Sequence, residues 1–345
     1  MTEMLCIGNP LVDVFIELDA AIAEKYGITE PAQHLDRDKA EEILHDPKID
    51  FSKAVKVSGG GSSNVAKIAS MLEINATFAG STGTDDLAGI LESDLSEAGV
   101  SAVLTKIDQK TGVCFACTVD GKLRFAASPG AALEFNETHI ADELITESEV
   151  VVLDGYVLDR RPLVQHVLKK ASRRGIPVAL DAASLFQMQK KAEEILTYGR
   201  SFPLIVFMNA DEAIAFFNTV RKSRDQDINI SDKEKEIIIL RDVCPMLKII
   251  TDGEIFPIMV VKLGSRGAVV VAGGNVYHAE TFTISPRNTV GAGDAFCAAF
   301  LAAWIKGKSL SECAAFANKV AREVLEVYGT GIKSGKLKSF AKMLK

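Results

Sequence analysis

The chain has 345 residues, 48% of them hydrophobic and 25% charged, which is long enough to bury a large core. A formal charge of −7 offers no basic face to a nucleic-acid backbone. Its longest apolar runs, such as A-F-C-A-A-F-L-A-A-W-I, reach about half of the roughly 20 residues a membrane span needs, and M-T-E-M-L-C-I-G lacks a charged region followed by an apolar one, so neither membrane nor export is expected and a cytoplasmic setting is.

In chain order, M-L-C-I reads as an apolar strand and V-D-V-F-I-E-L as a second. S-G-G-G-S-S-N-V-A-K-I-A, residues 58–69, runs from glycines into a helical pattern. It reads as a serine-capped helix start, or as a backbone that approaches a ligand closely, with Asn64 offering an amide to a hydroxyl. A-T-F-A-G-S precedes the helix D-D-L-A-G-I-L-E-S-D-L-S-E-A-G, which closes at Gly99. G-V-C-F-A-C-T-V-D-G-K-L-R-F-A-A-S carries a D-G pair between two β-rich arms, a hairpin signal. Then come V-V-V-L-D-G, the helix R-P-L-V-Q-H-V-L-K-K-A-S-R-R-G, P-V-A-L-D with a helix after it, and L-I-V-F-M-N before D-E-A-I-A-F-F.

Fully apolar strands alternating with helices predict a parallel sheet covered on both faces. The expected fold class is therefore α/β: one doubly wound domain over 1–345, its mostly parallel central sheet flanked by helices, with ligands beyond the carboxyl ends of the strands. A small antiparallel β lid is expected from segments near 11–19, 53–58 and 101–127. The polar passage 220–236 reads as an exposed loop leading into a helix.

Six cysteines sit mostly in apolar runs and read as free thiols; Cys114 and Cys117 lie three apart on a strand, facing opposite sides. The five histidines have no metal-ligand spacing.

Four short stretches carry chemistry. N-T-V-G-A-G-D, residues 288–294, sets Gly291, Ala292 and Gly293 before Asp294 at the head of an apolar helix. Small residues let a phosphate approach the free N–H groups there, and a carboxylate beside them is placed to take a proton. Asp294 as a plain helix cap is the alternative. The second stretch is Gly59 to Asn64. The third, V-V-K-L-G-S-R-G-A-V-V-V, residues 260–271, joins two strands through a glycine turn. The fourth, F-M-N-A-D-E, puts Asn209 and Glu212 after an apolar strand, as a capping pair or as a polar pair near phosphates and their magnesium.

Together, in this order, these stretches resemble the PfkB family of small-molecule kinases, the ribokinase-like group that includes adenosine kinases. The family's D-T-x-G-A-G-D, G-G-x-x-x-N, N-x-x-E and G-x-x-G motifs are matched by Asn288 to Asp294, by Gly59, Gly60 and Asn64, by Asn209 and Glu212, and by Gly264 and Gly267. The resemblance covers nearly the whole chain. It implies an ATP-dependent phosphotransferase with Asp294 as general base and the Gly291, Ala292 and Gly293 amides as anion hole. Asn209, Lys262, Gly264, Gly267 and Asn318 are implied on the ATP side, with Glu212 reaching Mg²⁺ through water. Asn288 stands where the family signature has Asp, so K⁺ activation is open.

On the acceptor side the resemblance implies Asn9 and Asp13 from G-N-P-L-V-D, with Gly59, Gly60 and Asn64, and Gly130 and Ala131 closing over the substrate; Arg124 is either a phosphate contact or a surface arginine. A sugar is expected first as acceptor. A nucleoside such as adenosine is the alternative, suggested by G-N-P-L-V-D and by D-G-Y-V-L at 154–158. The lid edge suits pairing with a second copy, as in ribokinase-like dimers, whereas adenosine kinases resemble monomers. A dinucleotide-binding enzyme lacks its G-x-G-x-x-G after the first strand, and no P-loop spacing is complete.

Overall fold

The structure, a computed structural model, describes residues 2–30, 32–221, 231–253, 256–281, 290–325 and 334–345. Among the described residues fourteen strands form two sheets: β1 Met4–Ile7, β2 Leu11–Glu17, β3 Ala32–His34, β4 Val55–Gly59, β5 Ala76–Thr82, β6 Ser101–Lys106, β7 Gly112–Val119, β8 Lys122–Ser128, β9 Val150–Asp154, β10 Val178–Asp181, β11 Leu204–Asn209, β12 Ile258–Lys262, β13 Ala268–Ala272 and β14 Asn275–Ala279. The large sheet has the order β14-β13-β12-β11-β10-β9-β1-β5-β6 and is parallel from β12 to β6. From β1 the chain builds outward through β5 to β6, then returns to the other side of β1 at β9. The order thus reverses between β1 and β9, the place where an α/β sheet opens a crevice at its strand carboxyl ends.

Alternate side chains of each strand feed different cores. Met4 and Cys6 of β1 pack with the helices Gly61–Met71, Ala292–Ile305 and Leu310–Val324 on one face. Leu5 and Ile7 pack with the helices Arg161–Arg173, Leu185–Gly199 and Ala210–Arg221 on the other. Burial on both faces is why these strands read as unbroken apolar runs. The helix Ala292–Ile305 is apolar almost all round because neighbours cover it: Phe300 meets Phe207 of β11 edge-on, with centroids 5.4 Å apart.

The second sheet, β3-β8-β7-β2-β4, is the small sheet expected beside the large one, with antiparallel pairs β7–β8 and β2–β4. Asp120 and Gly121 both have positive φ, as the D-G hairpin turn requires. Parallel pairs β2–β7 and β3–β8 join the rest. One expected boundary is corrected. The lid segment placed at 101–127 begins only at Gly112, since Ser101–Lys106 runs parallel to β5 as the edge of the large sheet. The helix Asp86–Glu97, closed by Gly99 at φ 79°, returns the chain to that edge as a βαβ crossover would, before it leaves for the lid.

Candidate active site

Strands β9, β10, β11 and β12 end on Asp154, Asp181, Asn209 and Lys262. Apolar strands thus deliver four polar side chains to one edge, and a cavity of about 460 Å³ stands over them. Its opposite wall carries Asp13 from β2, Gly60, Gly61 and Asn64 from one helix start, and Gly293 and Asp294 from another.

Those two helix starts touch. Asn64 Nδ2 donates to Asp294 Oδ2 at 2.8 Å, linking residues 230 apart in sequence. Gly291 caps its helix in the left-handed conformation at φ 78°, which glycine adopts without strain. Gly60 has φ 92°, and a Cβ there would stand 2.1 Å from the Asn9 carbonyl oxygen. A Cβ on Gly59 would meet the Asp13 carboxyl at 2.3 Å, so glycine is what allows that carboxylate to lie against β4. Lys67, buried one helical turn beyond Asn64, donates to both the carbonyl and the hydroxyl of Ser58 at 2.7 Å.

Burial dominates the protonation of these groups. It pushes Asp13 up to about 7, against the pull of Lys67, with Asp294 adding to the rise. It pushes Asp294 up to about 6, opposed by the Asn64 hydrogen bond and by Lys262 and reinforced by Asp181 and Asp154. It brings Lys67 down to about 8 despite Asp94, Asp13 and Asp294.

At the other end of the cavity Lys262 Nζ donates to Asp181 Oδ2 at 2.6 Å. Asp181 Oδ1 accepts from the Ala183 N–H at 3.1 Å, and Ala183 has φ 66°, a strained conformation for alanine, on the cavity wall. Asn209 and Glu212 cap each other: the Asn209 backbone N–H and Nδ2 each donate to Glu212 at 2.7 Å, and the Glu212 N–H donates to Asn209 Oδ1 at 2.9 Å. Glu212 is only 2% exposed, and burial raises it to about 7, opposed by Lys262 and helped by Asp181. Burial disfavours the Lys262 charge, but Asp181 and Glu212 outweigh it and hold the ammonium above its ordinary range.

The residues singled out in the sequence fall into three groups. Asp13, Gly60, Asn64, Asn209, Glu212, Lys262, Gly264, Gly293 and Asp294 line one cavity, and Gly291 and Ala292 open the helix at its wall. Asn9 and Gly59 lie behind that wall: the Asn9 N–H donates to Asp154 at 3.3 Å, and its side chain accepts from Arg160 at 2.6 Å. Gly267, Asn318 and Gly130 are off the lining. Gly267 (φ 87°) would press a Cβ onto the Ala279 carbonyl oxygen at 2.0 Å, and Asn318 Nδ2 donates to that same oxygen at 2.9 Å, so these two form one cluster beside the β12–β13 turn. Gly130 packs on the backbone of Lys110 and Gly112. Arg124 donates to the Ile28 carbonyl at 2.7 Å within the lid region. Asn288 lies outside the described residues.

The sequence assigned no role to Asp181, Asp154, Lys67 or Ala183, and the serine cap read at 58–69 is corrected: that helix is capped by Gly60 with no side-chain bond, and Ser62 Oγ, inside its first turn, donates to the Ile7 carbonyl at 3.0 Å. For the two aspartates a signal existed: V-V-V-L-D and P-V-A-L-D both end a buried strand on a carboxylate, as L-I-V-F-M-N ends on an amide. Lys67 had none, because a lysine in a helix reads as solvent-facing.

The donor set admits a magnesium ion only in part. Among the described residues no three His, Cys, Asp or Glu side chains converge as a metal cage. Single hard-oxygen carboxylates suit an ion that keeps its waters and rides on substrate phosphates.

The model of the pfkB family carbohydrate kinases matches residues 23–336. The chain is 23% identical over 349 residues to an adenosine kinase of Schizophyllum commune, covering 96% of this chain and 97% of that protein. Among solved structures, the adenosine kinase of Sinorhizobium meliloti superposes with a TM-score of 0.83 at 24% identity, covering 100% of this chain and 99% of that one. A probable sugar kinase from Rhizobium etli superposes with a TM-score of 0.81 at 23% identity, covering 99% of each chain.

Proposed function

The chain belongs to the pfkB family of carbohydrate kinases, ATP-dependent enzymes that phosphorylate a sugar or nucleoside hydroxyl, and from that premise we propose a nucleoside, adenosine first, as its acceptor. This reverses the order in which the sequence alone ranked the two acceptors. The observation that carries it is the cavity's second character. Beside the carboxylates stand Val65, Val152, Ala183 and the ring of Tyr156, which is 37% exposed. An apolar and aromatic wall next to hydroxyl-binding groups fits a flat base joined to a ribose better than a sugar alone.

In this reading Asp13 accepts hydrogen bonds from ribose hydroxyls, and Asn64 keeps Asp294 oriented. Asp294 takes the proton of the attacking 5′-hydroxyl, and the free amides at Gly291 to Gly293 receive the phosphoryl oxygens. Asn209 and Glu212 would face the phosphates, and Glu212 would help hold a hydrated Mg²⁺, which when bound would neutralise phosphate charge. Gly264, Gly267 and Asn318 lie toward the nucleotide.

ADP release from Mg-ATP across adenosine, other nucleosides, ribose and fructose tests the acceptor. Adenosine is expected to exceed ribose by about a hundredfold or more in kcat/KM, the scale of a well-filled base pocket. Turnover on ribose or fructose with none on nucleosides would return the acceptor to the sugar class, for which the fold of the Rhizobium etli protein is a precedent.

The raised carboxylates set a pH dependence. The base works ionised, so kcat should fall as pH drops through about 6, and acceptor KM should rise below about 7 as Asp13 protonates. Stability should move the other way. A carboxylate whose folded pKa is raised holds its proton in the folded state over the window from its ordinary value of 3.8 up to 6 or 7, so these groups make the ligand-free protein less stable as pH rises through that window. A rate profile and melting curves from pH 5 to 8 check both signs; a melting temperature that rises across this range would contradict the assignment.

A further inference from the structure

Five carboxylates, Asp13, Asp154, Asp181, Glu212 and Asp294, face the cavity, and Lys262 is the only cationic side chain among the described residues that line it. A phosphoryl group in transit spreads negative charge over its equatorial oxygens, and an acidic cavity opposes it. The Lys262 ammonium is placed against that opposition. It leaves the end of β12 beside Asn209, its register partner on β11, and reaches across to Asp181 at 2.6 Å. Its Nζ also lies only 3.3 Å from where a Cβ on Gly293 would stand, so it borders the helix start that carries Asp294. The side chain is 15% exposed, with Asp181 on one side and that glycine on the other.

We propose that Lys262 is a catalytic residue that donates to the transferring phosphoryl group, and that Asp181 is the positioning residue that aims it; this rests on the phosphotransfer reading of the same cavity. During transfer the acceptor oxygen forms its bond to phosphorus as the bond to the ADP oxygen breaks, and that electron pair leaves with ADP. The hydroxyl proton goes to Asp294. Lys262 keeps its own proton throughout and supplies charge alone. A glycine at 293 leaves room for the ammonium between Asp181 and the helix start. A compact ammonium on a buried stem, held by one carboxylate, is suited to this task, because it can turn toward the phosphoryl oxygens without losing its anchor.

The test is steady-state kinetics of the full chain with Mg-ATP and the preferred acceptor, alongside calorimetric binding of the acceptor without ATP. Lys262→Met is expected to lower kcat by about a hundred- to a thousandfold, the range for loss of one preorganised donor. Acceptor affinity should stay within about twofold, and Lys262→Arg should recover part of the loss. The acidic limb of kcat should also move to higher pH in Lys262→Met, because the lysine charge favours ionised Asp294. Asp181→Asn should lower kcat less, and adding it to Lys262→Met should cost little more, since two groups acting as one unit are not additive. Lys262→Gln keeps a polar donor on a stem of similar length and removes only the charge, so it reads the same role should Lys262→Met not fold; it is expected to lower kcat at least about tenfold.

Turnover within about threefold of the parent in Lys262→Met or in Lys262→Gln overturns the proposal. So does a loss in Lys262→Met matched by equal losses of acceptor affinity and melting temperature, which is the signature of a structural ion pair. Additive losses in the double variant overturn the role of Asp181. Asp294→Asn measured in parallel separates the levels: inactivity there with Lys262→Met active sinks this inference alone, whereas activity in both sinks the reading of the cavity.

Discussion

Asp294→Asn is expected to lower kcat by about two to four orders of magnitude, the range for removing a positioned general base, with little change in acceptor KM. The substitution is close to isosteric. Asn64 Nδ2 would still find an oxygen where it now meets Asp294 Oδ2 at 2.8 Å, so the two helix starts stay joined. What disappears is the capacity to accept the acceptor's proton. The same change should stabilise the ligand-free protein at pH 8. Burial raises Asp294 to about 6, which means that the folded protein bears a cost for keeping it ionised above that pH, and asparagine removes that cost. The stabilisation should shrink toward pH 5, where the aspartate is largely protonated. Gain of stability with loss of turnover is the pattern of a strained functional group. Rates measured with saturating ATP, together with melting curves at the two pH values, give both numbers. A variant that turns over within tenfold of the parent would remove Asp294 from the role of base, whatever its stability.

Gly60→Ala should be the most damaging single methyl in the chain's first hundred residues that touches the cavity. Its φ of 92° costs an alanine about 1–3 kcal/mol, and the new Cβ would stand 2.1 Å from the Asn9 carbonyl oxygen, a backbone atom with no rotamer to yield. Overpacking of that kind adds about another 1–3 kcal/mol. The strand end and the helix must separate, and Asn9 and Asn64 move with them. Loss of turnover should therefore accompany a lowered melting temperature. Gly264→Ala supplies the contrast: its φ is 58°, but nothing lies within 4 Å of the added Cβ, so only the conformational cost of about 1–2 kcal/mol applies. Equal melting temperatures for the two variants would show that the close approach at Gly60 is not rigid.

The stretches legible in the sequence are those whose chemistry is local. Gly291 and Asp294 are readable because they lie three residues apart at one helix start, where glycine can take the left-handed conformation and a first-turn carboxylate suits the positive end of the helix. Asn209 and Glu212 are readable because a reciprocal cap spans three residues. The D-G hairpin and the buried strands follow from turn conformation and from covered sheet faces. The limit of the lid was misplaced because β6 is an edge strand with no fully buried residue and no fully apolar run, and nothing local says which sheet it joins.

The α/β class, the glycine-bearing helix starts and the residue types gathered at the strand ends can be read from the chain alone, because backbone geometry and burial set them over short spans. Which of those groups face one another was decided only by the tertiary structure. Asp181 meets Lys262 across 81 residues, and Asn64 meets Asp294 across 230. The shifts of Asp13, Asp294 and Glu212 belong there as well, because desolvation depends on everything packed around a carboxylate, and no window of the chain contains it.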